Sequence, residues 1–134
     1  MTSVFADSFY FFALLNRDDA AHHQARDFGR NSRAKLVTTV WVLTELADGL
    51  ASSQSRNKFV EMLGRLRAGD DVEILPFTEA WFESGLELYA RHPDKNWSLT
   101  DCISFVVMQE RGLTDALTGD HHFEQAGFNA LLKV

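Results

Sequence analysis

Short apolar runs alternate with helix-periodic segments along the whole chain, and this alternation constrains the fold more than any other feature of the sequence. Strands are predicted at Ser3–Ala6, Lys35–Thr39, Val72–Leu75, Asp115–Thr118 and Asn129–Leu132. Helices are predicted at Ser8–Asn16, Asp19–Gly29 (capped by Asp18 or Asp19), from Thr39 or Val40 to about Ala51, Ser55–Ala68, from the cap Thr78 to about Arg91, Leu99–Arg111 and His121–Ala126. Leu43, Leu46, Ala47 and Leu50 form one helical core stripe, and Phe59, Met62, Leu63 and Leu66 another. Gly69, Gly112 and Gly127 stop helices, and Pro76 stops the third strand. Strands that alternate with helices pair in parallel and are covered on both faces, a three-layer α/β/α sandwich with a mainly parallel sheet. In such folds ligands bind outside the carboxyl ends of the strands. Residues immediately after strands are therefore the ones to inspect.

A chain of 134 residues, 46% of them hydrophobic, fits one domain spanning residues 1–134 with one core. No apolar run approaches the roughly 20 residues of a membrane span. No basic segment precedes the first apolar stretch, which argues against a signal peptide. With the single cysteine Cys102 no internal disulfide can form, and a reducing cytoplasm is the simplest compartment. The net charge of −6 excludes a protein that holds nucleic acid by bulk positive charge. It does not exclude a nuclease, because cations bound by clustered acids reverse the local field. Basic residues gather at Arg26, Arg30, Arg33 and Lys35, and at Arg56, Lys58, Arg65 and Arg67. They are either solvated helix faces or a rim for phosphates.

Four acids fall where an α/β fold builds its site. Asp7 directly follows the first strand, and Asp120 follows the fourth by one glycine. Asp101 lies in the first turn of its helix, on a face shared with Ser104, Phe105 and Met108. Glu45 lies opposite its helix's core stripe, yet its helical neighbours are Trp41 and Val42. Taken singly, each has a structural explanation: Asp7 and Asp120 as N-caps, Ser98–Asp101 as a capping box, Glu45 as an exposed glutamate. Taken together they are acids beside apolar surface with no matching Lys or Arg nearby in sequence, an expensive arrangement unless a cation binds. Converging carboxylates suit Mg2+ or Mn2+, which activate water and orient phosphate in phosphodiester hydrolysis.

The stretches Val4-Phe5-Ala6-Asp7-Ser8, Leu43-Thr44-Glu45-Leu46, Ser98-Leu99-Thr100-Asp101-Cys102-Ile103-Ser104 and Ala116-Leu117-Thr118-Gly119-Asp120-His121-His122-Phe123, closed by Ala126-Gly127-Phe128, occur in the order and approximate spacing of a known family. By these motifs the whole chain resembles the PIN domains, and among them the VapC-type toxins. The resemblance implies a PIN-like fold and Mg2+- or Mn2+-dependent endoribonuclease activity that leaves a 5′-phosphate. It carries the family's catalytic and metal-binding acids onto Asp7, Glu45, Asp101 and Asp120, with Ser8 and Thr118 as supporting polar residues. It implies an RNA substrate and a cognate antitoxin protein, whose basic side chain would block the acidic pocket. Its helical part would lie on apolar surface near the second to fourth helices. Small size and the lack of a fused domain agree with a toxin. A homodimer is an open option.

Other readings remain at this point. The chain can be a non-catalytic RNA-binding or interaction module on the same fold, or a housekeeping RNA-processing nuclease. A phosphotransfer enzyme with Asp7 as nucleophile commonly carries a second acid two residues on, where this chain has Phe9. His121 and His122 are adjacent on a helix and point about 100° apart, so both cannot easily face one metal. His22 and His23 read as surface residues, and Cys102 as core. Phe9, Phe11, Phe12, Leu14 and Leu15 are either core or the wall of a partner groove.

Overall fold

The computed structural model describes residues 2–133. Five strands, β1 (Ser3–Ala6), β2 (Lys35–Thr39), β3 (Val72–Leu75), β4 (Asp115–Leu117) and β5 (Asn129–Ala130), pair in parallel in the order β3-β2-β1-β4-β5. Seven helices connect them: α1 (Ser8–Leu15), α2 (His22–Asn31), α3 (Val40–Gly49), α4 (Arg56–Ala68), α5 (Glu79–Arg91), α6 (Leu99–Glu110) and α7 (His121–Gln125). The expected three-layer α/β/α arrangement is present. Phe11, Leu14, Phe28, Met62 and Leu66 bring α1, α2 and α4 together on one face. On the other face Phe123 of α7 packs on Phe5 of β1, and Phe105 of α6 meets it edge-on at 4.9 Å. The chain steps one way through β1, β2 and β3 and then crosses back to β4. Right-handed crossovers therefore put the helices before and after that reversal on opposite faces.

Most predicted boundaries agree within a residue or two, and the exceptions have local causes. α2 begins at His22 and ends at Asn31, not at Asp19 and Gly29. Asp19 spends its carboxylate on the Ala21 N–H in a tight turn, so it caps no helix. α3 stops at Gly49, with Thr39 as cap through a bond from the Val42 N–H. β4 ends at Leu117 because the Thr118 N–H turns back to the Ala116 carbonyl. β5 is two residues long, although the N–H groups of Leu131 and Leu132 still bond Ala116 and Thr118. Gly112 (φ 66°) and Gly127 (φ 97°) end their helices in the left-handed region that favours glycine.

One expectation about faces is corrected. The buried residues of α3 are Val42, Leu43 and Leu46, with Ala47 and Leu50 only half-buried. That rotates the buried stripe toward Glu45, which sits half-buried on its flank and not opposite it. Lys35 opens β2 at the amino edge of the sheet, and it pairs with Glu73, as does Arg111.

Candidate active site

The site is built at the carboxyl edge, around the central strand. The β1–β4 register sets Ala6 against Leu117, which leaves Asp7 beside Thr118. The Thr118 hydroxyl donates to the Asp7 carboxylate at 2.8 Å, and its oxygen accepts the Asp120 N–H at 3.1 Å. One threonine thus orients the acids that follow two adjacent strands. Gly119 makes this turn possible. A Cβ there would lie 2.5 Å from the Phe9 ring and 2.9 Å from the Leu132 carbonyl oxygen.

Asp101 and Glu45 arrive from helices. The N-terminus of α6 is held by the expected capping box: Ser98 accepts the Asp101 N–H at 3.0 Å, and Asp101 accepts the Ser98 N–H at 3.2 Å. Asp120 likewise caps α7 through the His122 N–H at 2.9 Å. Asp7 stands at the start of α1 but gives it no side-chain cap. α3 packs against both α1 and α6, and the Ser8 hydroxyl donates to the Glu45 carboxylate. Of the two supporting residues that the sequence resemblance named, Thr118 bonds Asp7 and Asp120 and Ser8 bonds Glu45.

The electrostatics differ from those of a set of helix caps. Asp7 is 5% exposed and Asp101 8%. Burial pushes the Asp7 carboxyl up to about 7; the Thr118 hydroxyl opposes the rise, and the charges of Asp101 and Glu45 add to it. Burial also raises Asp101, with Asp120 adding to it and the Ser98 N–H opposing. Among the described residues no lysine or arginine forms an ion pair with any of the four. One turn after Asp101, the Ser104 hydroxyl is 1% exposed and has no hydrogen-bond partner among the described residues.

Sequence reasoning missed His122. Its half-buried ring brings Nδ1 to 3.2 Å from Asp101 and 3.3 Å from Asp120. The expectation that the adjacent histidines point too far apart to share a partner is corrected: His121 is mostly exposed, yet its Nδ1 also reaches Asp120, at 3.6 Å. The signal available was Asp120 itself, since a capping aspartate ties down the N–H of the residue two positions on. Cys102 is fully buried, and burial with the nearby Asp101 charge pushes its thiol up to about 11, so it is no nucleophile.

The sequence pattern of the PIN domain matches residues 4–129. This chain belongs to the PIN-domain family. PIN domains are nucleases that work with divalent metal, and the buried carboxylates and the unpartnered Ser104 hydroxyl suit a hard cation. The 23S rRNA-specific endonuclease VapC20 of Mycobacterium tuberculosis is 27% identical over 125 residues, covering 93% of this chain and 95% of that protein, in each of two strains. The crystal structure of M. tuberculosis VapC20, described as a sarcin-ricin loop cleaving toxin, superposes with a TM-score of 0.85 at 28% identity, over 94% of this chain and 96% of that one. FitAcB from Neisseria gonorrhoeae has the same fold, with a TM-score of 0.69 at 19% identity over 95% of each chain. No helix of the described residues is long and apolar enough to cross a membrane.

Proposed function

We propose that this PIN-domain protein works as one domain, as a VapC-type toxin and Mg2+- or Mn2+-dependent endoribonuclease, with Asp7, Glu45, Asp101 and Asp120 as its metal-binding and catalytic acids. The observation that carries this reading is the convergence, on one edge of the sheet, of acids that among the described residues have no Lys or Arg partner. A bound divalent cation would supply an activated water and charge stabilisation at the scissile phosphate. The protein's own work is to hold the acids in place. Thr118 orients Asp7 and Asp120, Ser8 orients Glu45, and the capping box fixes Asp101 on the rigid start of α6. Glu45, the half-buried acid held by Ser8, would take a proton from the attacking water. By likeness to VapC20, the substrate is a structured loop of ribosomal RNA.

The test is cleavage of purified 23S rRNA by the wild type with Mg2+ or Mn2+. Asp7→Asn and Asp101→Asn, each folded, should abolish it, as should EDTA. Near wild-type cleavage by either variant would remove the metal-site reading.

The toxin role implies a cytoplasmic protein and a protein antitoxin. The acidic pocket would accept an arginine. A shallow, partly apolar cleft of about 230 Å³ beside Leu14, Phe28, Met62 and Leu66 offers a seat for a helix. Co-expression with the adjacent gene and affinity purification should recover an inhibited complex. Recovery of the protein alone, active and harmless to its host, would argue for a housekeeping nuclease.

A further inference from the structure

We infer that His122 is a nitrogen donor to the metal site, and that it tilts the site toward a nitrogen-accepting transition ion such as Mn2+ over Mg2+. This rests on the reading of Asp101 and Asp120 as metal-binding acids and adds a ligand to it. The geometry is specific. Nδ1 of His122 lies 3.2 Å from Oδ2 of Asp101 and 3.3 Å from Oδ1 of Asp120. Neighbouring donors in an octahedral shell with bonds of about 2.1 Å are roughly 3 Å apart. Nδ1 of His122 therefore stands at ligand-to-ligand spacing from one oxygen of each acid. A single hydrogen bond does not account for this placement, because Nδ1 carries at most one proton and stands almost equidistant from two carboxylates.

The ring is also held where it is. The His122 backbone N–H donates to Asp120 at 2.9 Å, which anchors the first turn of α7 to the same carboxylate that faces the imidazole. The His122 side chain is 19% exposed, against 71% for His121. His121 does approach Asp120, at 3.6 Å, but from the solvent side. It belongs to a loose donor group with Asp120 and His122, and it makes no approach to Asp101. The chemistry follows from the donor type. Mg2+ takes oxygen ligands and keeps several waters, whereas imidazole nitrogen suits transition ions. A site made only of Asp7, Glu45, Asp101 and Asp120 would have little basis to discriminate. An imidazole between two of those acids supplies one.

The experiment uses the full chain and four proteins: wild type, His122→Ala, His122→Asn and His121→Ala. Mn2+ and Mg2+ are titrated separately by calorimetry, and the Mn2+ complexes are examined by pulsed EPR for nitrogen hyperfine coupling. Wild type and His121→Ala should show coupling to one imidazole nitrogen, and both His122 variants should lose it. Mn2+ affinity should fall about tenfold or more in the His122 variants. Mg2+ affinity should change far less. His122→Asn keeps a side-chain hydrogen-bond donor, so it carries the test if His122→Ala fails to fold. Wild-type Mn2+ spectra without nitrogen coupling would overturn the inference. So would equal losses for both metals, or full Mn2+ affinity in His122→Asn, since His122 would then act only as a hydrogen-bond donor to the acids. Failure of wild type to bind either metal would instead strike the metal-site reading on which the inference rests.

Discussion

Replacing Asp7 with asparagine should stabilise the metal-free protein at neutral and alkaline pH while destroying its activity. Asp7 is almost fully buried, bonded to Thr118, and lies near the charges of Asp101 and Glu45. Its carboxyl moves from 3.8 to about 7 on folding, chiefly through burial. The folded state therefore holds a proton that the unfolded chain has released. Below about pH 4 Asp7 is neutral in both states and costs nothing. As pH rises from about 4 to about 7, unfolding is increasingly favoured, and above 7 the penalty is constant. At about 1.4 kcal/mol per pH unit, this range amounts to about 4 kcal/mol. Asparagine keeps an oxygen to accept from Thr118, and its amide donors face carboxylates. No cap is lost, because Asp7 caps nothing. In EDTA at pH 8, Asp7→Asn should therefore be more stable by up to about 4 kcal/mol, a melting temperature higher by on the order of 10 °C. Urea titrations of both proteins in EDTA, from pH 4 to pH 8, measure the gap directly. A gap that is independent of pH, or a wild type more stable at pH 8, would refute the reasoning. Mn2+ should act in the opposite sense, stabilising wild type by roughly 2.7 kcal/mol at 100 times its Kd and the variant by much less.

Asp101→Asn should lose cleavage yet stay folded, because asparagine still accepts the Ser98 N–H; Asp101→Ala should unfold more easily, by about 1 kcal/mol for the lost cap, as read from denaturant melts in EDTA. Thr118→Val keeps the shape but removes the bonds to Asp7 and Asp120. Its cleavage rate at saturating metal should fall about 10- to 100-fold, and a wild-type rate would show that Thr118 orients neither acid. Gly119→Ala forces the turn against the Phe9 ring and the Leu132 carbonyl, so it should cost about 1–3 kcal/mol in stability and weaken Mn2+ binding, measured by thermal melts and calorimetry. Cys102 should resist alkylation at pH 8 in the native protein and react once unfolded; rapid native labelling would contradict its burial.

Local chemistry alone determined much of this molecule. Alternating short strands and periodic helices required a parallel sheet covered on both faces, and the cap signals at Thr78, Ser98 and Asp120 are bonded as their residue types demand. Because parallel sheets place their crevice at one edge, the positions of Asp7 and Asp120 just after strands were legible without coordinates. Three things depended on the tertiary structure. The buried face of α3 turned toward Glu45 because α1 and α6 pack on both its sides, and periodicity cannot count neighbours from other elements. Thr118 became the hinge of the site only through the β1–β4 register, a pairing across more than a hundred residues. His122 was invisible for the same reason. A helical wheel separates it from His121 but cannot say which of the two meets Asp101, twenty-one positions earlier in the chain. Hydrogen bonds and caps act over a few residues, and sequence spacing reports them. The raised carboxyl of Asp7 and the histidine between two acids arise from groups that only the folded chain brings together.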